Sequence, residues 1–216
     1  MHSYIRAAAL SAVALAATQA ASAGFVYQSA AREVAVSVNG SVVDSESNAA
    51  FGGWFGSASS GNSAFSALAT QGSGLSYGEM SFVGASQIDA SGDTALVNAS
   101  SIATVVFTAD STESIRWIAN LFRDSVGTGN SASIALSVVD AVSGNILLAF
   151  TGPSIGSGSF DVQAGRSYRV NLAALSIADG PSNSLSNYNV GFFSAVPTPG
   201  AVALLGLAGL AGRRRR

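Results

Sequence analysis

The chain has no cysteine and no lysine, and its single histidine is His2. Without thiols there is no disulfide framework, no thiolate metal site and no cysteine nucleophile. A length of 216 residues still leaves enough chain to bury a core without such staples. His2 falls in an N-terminal stretch expected to be removed. The mature chain then has no imidazole for a Ser-His-Asp or Cys-His arrangement or for a typical zinc site. Charge is scarce as well: 10% of residues are charged, against about a quarter in ordinary soluble domains. Every basic residue is arginine, with Arg6 near the start and Arg213, Arg214, Arg215 and Arg216 at the end. Residues 24–195 therefore set five arginines against twelve carboxylates, a formal charge of −7. That sign disfavours nucleic acid as a partner, because such binding needs a basic footprint.

What is present begins with MHSYIRAAALSAVALAATQAASAG. Arg6 supplies a positive leader, Ala7 to Ala17 an apolar run, and Ala21-Ser22-Ala23 a small-residue site before Gly24, which together predict a signal peptide over 1–23 cut after Ala23. An export machinery of the Sec type and a signal peptidase are the partners this implies.

From Phe25 to about Ser194 the patterning is β. Val34, Val36 and Val38 alternate with polar residues up to Asn39-Gly40, a strong two-residue hairpin signal. Residues 45–75 are rich in Ser, Gly and Ala. Phe51, Trp54, Phe55 and Phe65 suggest sparse strands there, with the small residues toward solvent, and Ser57 to Ser66 reads as a polar loop open to O-linked modification. A run carrying Leu75, Tyr77 and Phe82 ends at the turn cluster Asp89 to Asp93. Ile102, Thr104, Val106 and Thr108 share one face of the next strand, and Val105 and Phe107 the other. SIRWIANLFRD fits a strand with Ile115, Trp117, Ala119 and Leu121 inward and Arg116, Asn120 and Arg123 outward. Ile115, Ile118 and Phe122 also fit helical spacing, but the β-branched and aromatic content favours the strand. Ile134, Leu136 and Val138 form a hairpin with Ile146 to Phe150 across Ser143-Gly144-Asn145. Phe160 and Val162 lead through Ala164-Gly165-Arg166 to a return strand with Tyr168, Val170 and Leu172, and Tyr188, Val190 and Phe192 mark a last strand. Short strands at turn spacings of about 8 to 12 residues predict an all-β antiparallel sandwich of jelly-roll type over 24–195, with helices only at the two ends.

Few side chains offer chemistry. A glycosidase needs two carboxylates at a set separation, for which Asp110, Glu113, Asp124 and Glu79 are available, yet each reads more simply as a turn or solvated residue. No catalytic activity, cofactor or metal is therefore expected. Asp44 with Glu46, or Asp89 with Asp93, offer hard oxygens to calcium, but turn roles account for them. Asn39-Gly-Ser and Asn98-Ala-Ser match the N-glycosylation pattern. Trp54 and Trp117 are the aromatics able to stack on a sugar. Trp117 is in phase with core residues, whereas Trp54 fits core or surface.

The C-terminus supplies the most specific pattern. Val196-Pro197-Thr198-Pro199 is rigid and extended, AVALLGLAGLAG is a short apolar helix of about 18 Å against a hydrocarbon core of about 30 Å, and Arg213, Arg214, Arg215 and Arg216 form a basic stop. Such a helix suits temporary holding in a membrane. These residues resemble the PEP-CTERM sorting signal of bacterial exported proteins, which has a V-P-x-P type motif, a short helix with Leu/Gly character and an arginine cluster. Val196, Pro197 and Pro199 match the motif, Leu205-Gly206-Leu207 and Gly209-Leu210 the helix, and Arg213 to Arg216 the cluster. Thr198 stands where the namesake motif has Glu. The resemblance implies processing by a membrane-embedded exosortase-type transpeptidase and association with an exopolysaccharide-producing envelope. The expectation is thus an exported structural or adhesive protein of the cell surface or extracellular matrix, held transiently in the inner membrane by residues 196–216. The alternative is a sandwich module that binds exopolysaccharide.

Overall fold

The computed structural model describes residues 24–92, 96–127 and 129–194. The expected signal-cleavage residues Ala21 and Ala23, the sorting-motif residues Val196, Pro197, Thr198 and Pro199, and the membrane-stop residues Arg213, Arg214, Arg215 and Arg216 lie outside the described residues, as does Asp93. Of the residues at the expected signal cut, Gly24 alone is described.

The described residues form twelve strands and no helix. The first two, β1 (Phe25–Val38) and β2 (Ser41–Asn48), make a hairpin, and β3 (Trp54–Gly61), β4 (Phe65–Ser76) and β5 (Glu79–Ala90) make a meander. They are followed by β6 (Val97–Ala109), β7 (Glu113–Gly127), β8 (Asn130–Asp140), β9 (Ile146–Thr151), β10 (Ser154–Val162), β11 (Ser167–Ala178) and β12 (Ser182–Ser194). All pairings are antiparallel within two sheets of six, ordered β2-β1-β6-β11-β8-β9 and β10-β7-β12-β5-β4-β3. The sheets pack face to face as a β-sandwich, because each strand presents alternate apolar residues to a shared interior. From β5 onward every connection crosses between the sheets except the β8–β9 hairpin.

Local chemistry explains much of this. Asn39 and Gly40 adopt φ of 52° and 76°, the left-handed pair that a tight hairpin turn requires. The ambiguous SIRWIANLFRD segment is strand β7, with Ile115, Ala119 and Leu121 buried and Ile118 and Phe122 on the outer face. Arg123 is exposed, as expected, although it follows the parity of Leu121: its guanidinium turns to donate to the Ala132 carbonyl at 3.2 Å. The run around Tyr77 is two strands, since Tyr77 and Gly78 form the β4–β5 turn. Ser57 to Ser66 is largely the β3–β4 hairpin rather than a loop. Strand β10 does not pair with β11; it joins β7 in the other sheet, so that Phe160 and Val162 reach the core from the side opposite Tyr168 and Val170.

The interior has two apolar parts. The larger gathers Phe82, Phe107, Ile115, Leu136, Leu172 and Phe192. The smaller is filled by Val34, Val36, Ala58, Ala67, Ala69 and Ala99. Here Ala58, Ala67 and Ala69 point inward and Phe55 points out, against the sequence reading, because this end of the interior is filled by short valines and alanines. Phe65 is buried and Ser57, Ser59 and Ser66 face solvent, in accord with it. A buried polar seam includes both sheets: the Ser86 and Ser176 hydroxyls are 3.1 Å apart, and Ser101 and the Tyr188 hydroxyl 2.7 Å apart. Two of these four hydroxyls also find a carbonyl, Ser176 on Ser86 at 2.8 Å and Ser101 on Thr70 at 3.0 Å, which offsets the cost of burying them. Burial pushes the Tyr188 phenol up to about 12, against the pull of its Ser101 hydrogen bond.

Both described ends meet at one turn. The Phe25 N–H donates to the Tyr77 carbonyl at 2.6 Å, and the Ser194 N–H to the Gly78 carbonyl at 3.0 Å.

Candidate functional site

The outer face of the β10-β7-β12-β5-β4-β3 sheet carries a shallow surface groove. Register aligns Asn120, Asn189, Val83, Gly72 and Phe55 in one row across five strands, with Phe122, Asn187, Ala85, Thr70 and Ser57 in the next. Gly72, Thr70 and Ala85 make a low floor between taller Phe55 and the three asparagines, leaving an open hollow of about 370 Å³. A second hollow of about 390 Å³ adjoins it over Gly72, Ser81, Val83 and Asn189. Phe55 is 69% exposed. Neither row carries a formal charge, so the groove offers an aromatic face beside amides that both donate and accept. Sequence reasoning missed these residues. The signal was the parity of Asn187-Tyr188-Asn189, which puts both amides outward once Tyr188 is inward.

The tryptophans are not the platforms. Trp117 packs against the larger core, its ring 5.3 Å from Phe150 and lying over Gly156 and Gly158. Trp54 is half-buried against the smaller core, with the Arg32 guanidinium 5.6 Å from its ring centre. Arg32 is itself buried, and its partners are neutral: Gly52 carbonyl at 3.0 Å, Ser73 hydroxyl at 2.9 Å, Asn48 Oδ1 at 2.9 Å and the Ala50 carbonyl. Burial lowers its pKa from the usual value. The residue ties the β2–β3 loop to the sandwich.

The carboxylates singled out from sequence are spread apart. Asp44 and Glu46 are strand residues, not turn residues as the sequence suggested. They project from edge strand β2 and accept the backbone N–H groups of Ser59 and Ser57, each at 2.7 Å, on edge strand β3 of the other sheet. Asp89 accepts from Gln87 Nε2 at 2.7 Å, and Asp124 lies on β7 opposite Leu185. Glu113 accepts from the Ser194 hydroxyl at 2.5 Å, and Glu79 opens β5, where its carbonyl accepts from Tyr27 at 3.1 Å. Burial, with the Glu79 carboxylate adding to it, raises the Tyr27 phenol pKa against the pull of its bond to the Ser76 carbonyl. Asp110 holds the start of the domain: Oδ1 accepts the Gly24 N–H at 2.7 Å, and Oδ2 accepts the Tyr77 hydroxyl. Asn39 occupies the β1–β2 turn as expected, whereas Asn98 sits within strand β6. Among the described residues, no three acidic side chains gather into a metal-sized cluster.

Set against known proteins, the chain matches no family model and no curated protein sequence. Its class is accordingly defined by the fold of the described residues, an all-β sandwich of two six-stranded sheets, in a chain without cysteine.

Proposed function

We propose that this is an exported, surface-sorted structural or adhesive protein of the cell envelope or extracellular matrix, with a signal peptide over 1–23 and a PEP-CTERM-like sorting tail over 196–216. The order β5-β12-β7-β10 opposite β6-β11-β8-β9 is read as a jelly roll extended by β1 to β4. The observation that carries the reading is the broad outer sheet face, with two rows of small, amide and apolar side chains spanning five strands and no formal charge among them. Such a face suits packing against neutral polymer or neighbouring modules better than holding a single small molecule. In this reading an exosortase-type transpeptidase processes the tail, and Arg213, Arg214, Arg215 and Arg216 hold it at the inner membrane until then. The test is the intact mass of the protein recovered from its producing cell, beside that of a chain lacking those four arginines. Loss of residues 1–23 and of the tail, with precursor accumulating in the truncation, is expected. Identical processing of both chains would overturn the sorting assignment.

A second reading, exopolysaccharide binding, is favoured by one observation, the Phe55 and asparagine groove. An aromatic face beside uncharged amides complements the alternating C–H and hydroxyl surface of a neutral sugar. Phe55→Ala and Asn187→Ala are expected to abolish retardation in gels containing the producing cell's polysaccharide while leaving thermal stability unchanged. Equal retardation of wild type and both variants would remove the groove from consideration.

A further inference from the structure

We infer that Asp110 is a built-in receptor for the amino group that leader removal would create at Gly24. The inference rests on the proposed cleavage after Ala23. Two hydrogen bonds already join these residues, Gly24 N–H to Asp110 Oδ1 at 2.7 Å and Asp110 N–H to the Gly24 carbonyl at 3.3 Å. The carboxylate is oriented from its other side by the Tyr77 hydroxyl, and the Tyr77 carbonyl also accepts the next backbone N–H, that of Phe25, at 2.6 Å. Gly24 is buried, and a β-carbon there would overlap both the Tyr77 carbonyl and its ring. The seat therefore admits glycine alone, the residue found at the first position after the predicted cut.

Hydrolysis of the Ala23–Gly24 bond consumes one water. Its oxygen goes to the new Ala23 carboxylate, and the Gly24 nitrogen takes up protons to become an ammonium. A neutral amide donor beside Asp110 then becomes a cation at the same place, and the existing hydrogen bond becomes charge-assisted. The gain depends on the cut falling at this bond. A chain beginning one residue earlier puts its charge a residue away, and one beginning at Phe25 lacks the seated glycine. The receptor thus ties folding stability to correct maturation.

The test compares three chains that run to Arg216 and begin at Gly24, at Ala23 or at Ser22, each with Asp110 or with Asp110→Asn. Asparagine keeps an acceptor for Gly24 and removes the charge; its amide NH2 then faces the Tyr77 hydroxyl in all three chains alike, so the comparison among the chains isolates the charge. The Gly24 chain is expected to exceed the other two by roughly threefold in its folded-to-unfolded ratio, a modest gain because Asp110 is solvent-exposed. In Asp110→Asn the three chains should be equal within error. Equal stability of all three Asp110 chains, or a Gly24 advantage that survives Asp110→Asn, would overturn the inference. N-terminal mass analysis of the cellular protein separates this outcome from failure of the export reading. A different natural start would refute the cleavage assignment while leaving the measured coupling intact.

Discussion

Asp44, on the outermost strand of one sheet, accepts the backbone N–H of Ser59, on the outermost strand of the other, at 2.7 Å. Glu46 repeats the contact with Ser57 two residues along. Two side chains on alternate positions of β2 thus occupy edge amides of β3 that would otherwise be open to another strand, a recognised hazard of sheet edges. At the opposite edges, β9 and β10 present exposed Ile146 and Ile155 instead.

Removing both carboxylates, in Asp44→Ala with Glu46→Ala, is expected to cost about 1 kcal/mol in total, because the contacts are exposed. That corresponds to a fall in Tm of about 2–4 °C. Freed β3 amides should also promote self-association, seen as a concentration-dependent rise in light scattering. An unchanged Tm with unchanged scattering would show that the contacts protect nothing.

Arg32 gives the largest predicted single-site effect. Arg32→Ala abandons Asn48, Ala50, Gly52 and Ser73 together and uncovers Trp54, so unfolding by urea should show a loss on the order of 3 kcal/mol. Arg32→Lys should recover only part of it, since one ammonium cannot serve both branches of a guanidinium fork. Full recovery by lysine would mean that charge alone matters at this position.

Asp140 should set part of the acid limit. Backbone N–H groups of Ser143 and Val142, each at 2.9 Å, hold its carboxyl below the ordinary range, with Arg166 at 2.8 Å adding to them. A depressed folded-state pKa contributes stability above the unfolded value of about 4, and that stability is lost as pH falls through the folded one. Asp140→Asn should therefore lower Tm at pH 7, with the gap to wild type closing below about pH 4. A gap independent of pH would assign the effect to geometry instead of charge.

Tyr188 acts at the other end of the scale. Its phenol, pushed up to about 12, favours the fold fully below the unfolded value of about 10, and this is lost as pH rises from there toward 12. Tyr188→Phe should cost about 1 kcal/mol at neutral pH, because Ser101 keeps its bond to Thr70. The variant should then lose less further stability between about pH 10 and 12. Denaturation titrations across that window, compared with wild type, would expose any failure of this crossover.

The sequence made the strands legible wherever one face carries large apolar residues, as with Ile134, Leu136 and Val138, all buried as expected. It failed where partners are distant in sequence. Period-two alternation says which side of β10 is buried, but not that β10 joins β7 in one sheet while β11 joins β6 and β8 in the other. Likewise, nothing local to Asp44 reveals Ser59, and a glycine-flanked Trp54 beside Phe55 leaves open which ring turns inward. The buried arginine on Trp54 decides it. Asn187 and Asn189 stand in the sequence at alternate positions, but polar alternation looks the same for a groove and for an ordinary wetted face.

The meeting of both described ends at the Tyr77-Gly78 turn has a mechanical consequence. Strands of 12 to 14 residues, such as β1 and β4, at about 3.3 Å per residue place the Asn39-Gly40 and β3–β4 turns about 40 Å from the exit point. A chain gripped by one surface at its beginning and its end together can therefore complete every strand without letting go of either grip. The far turns are then the part of the molecule offered to whatever lies beyond that surface.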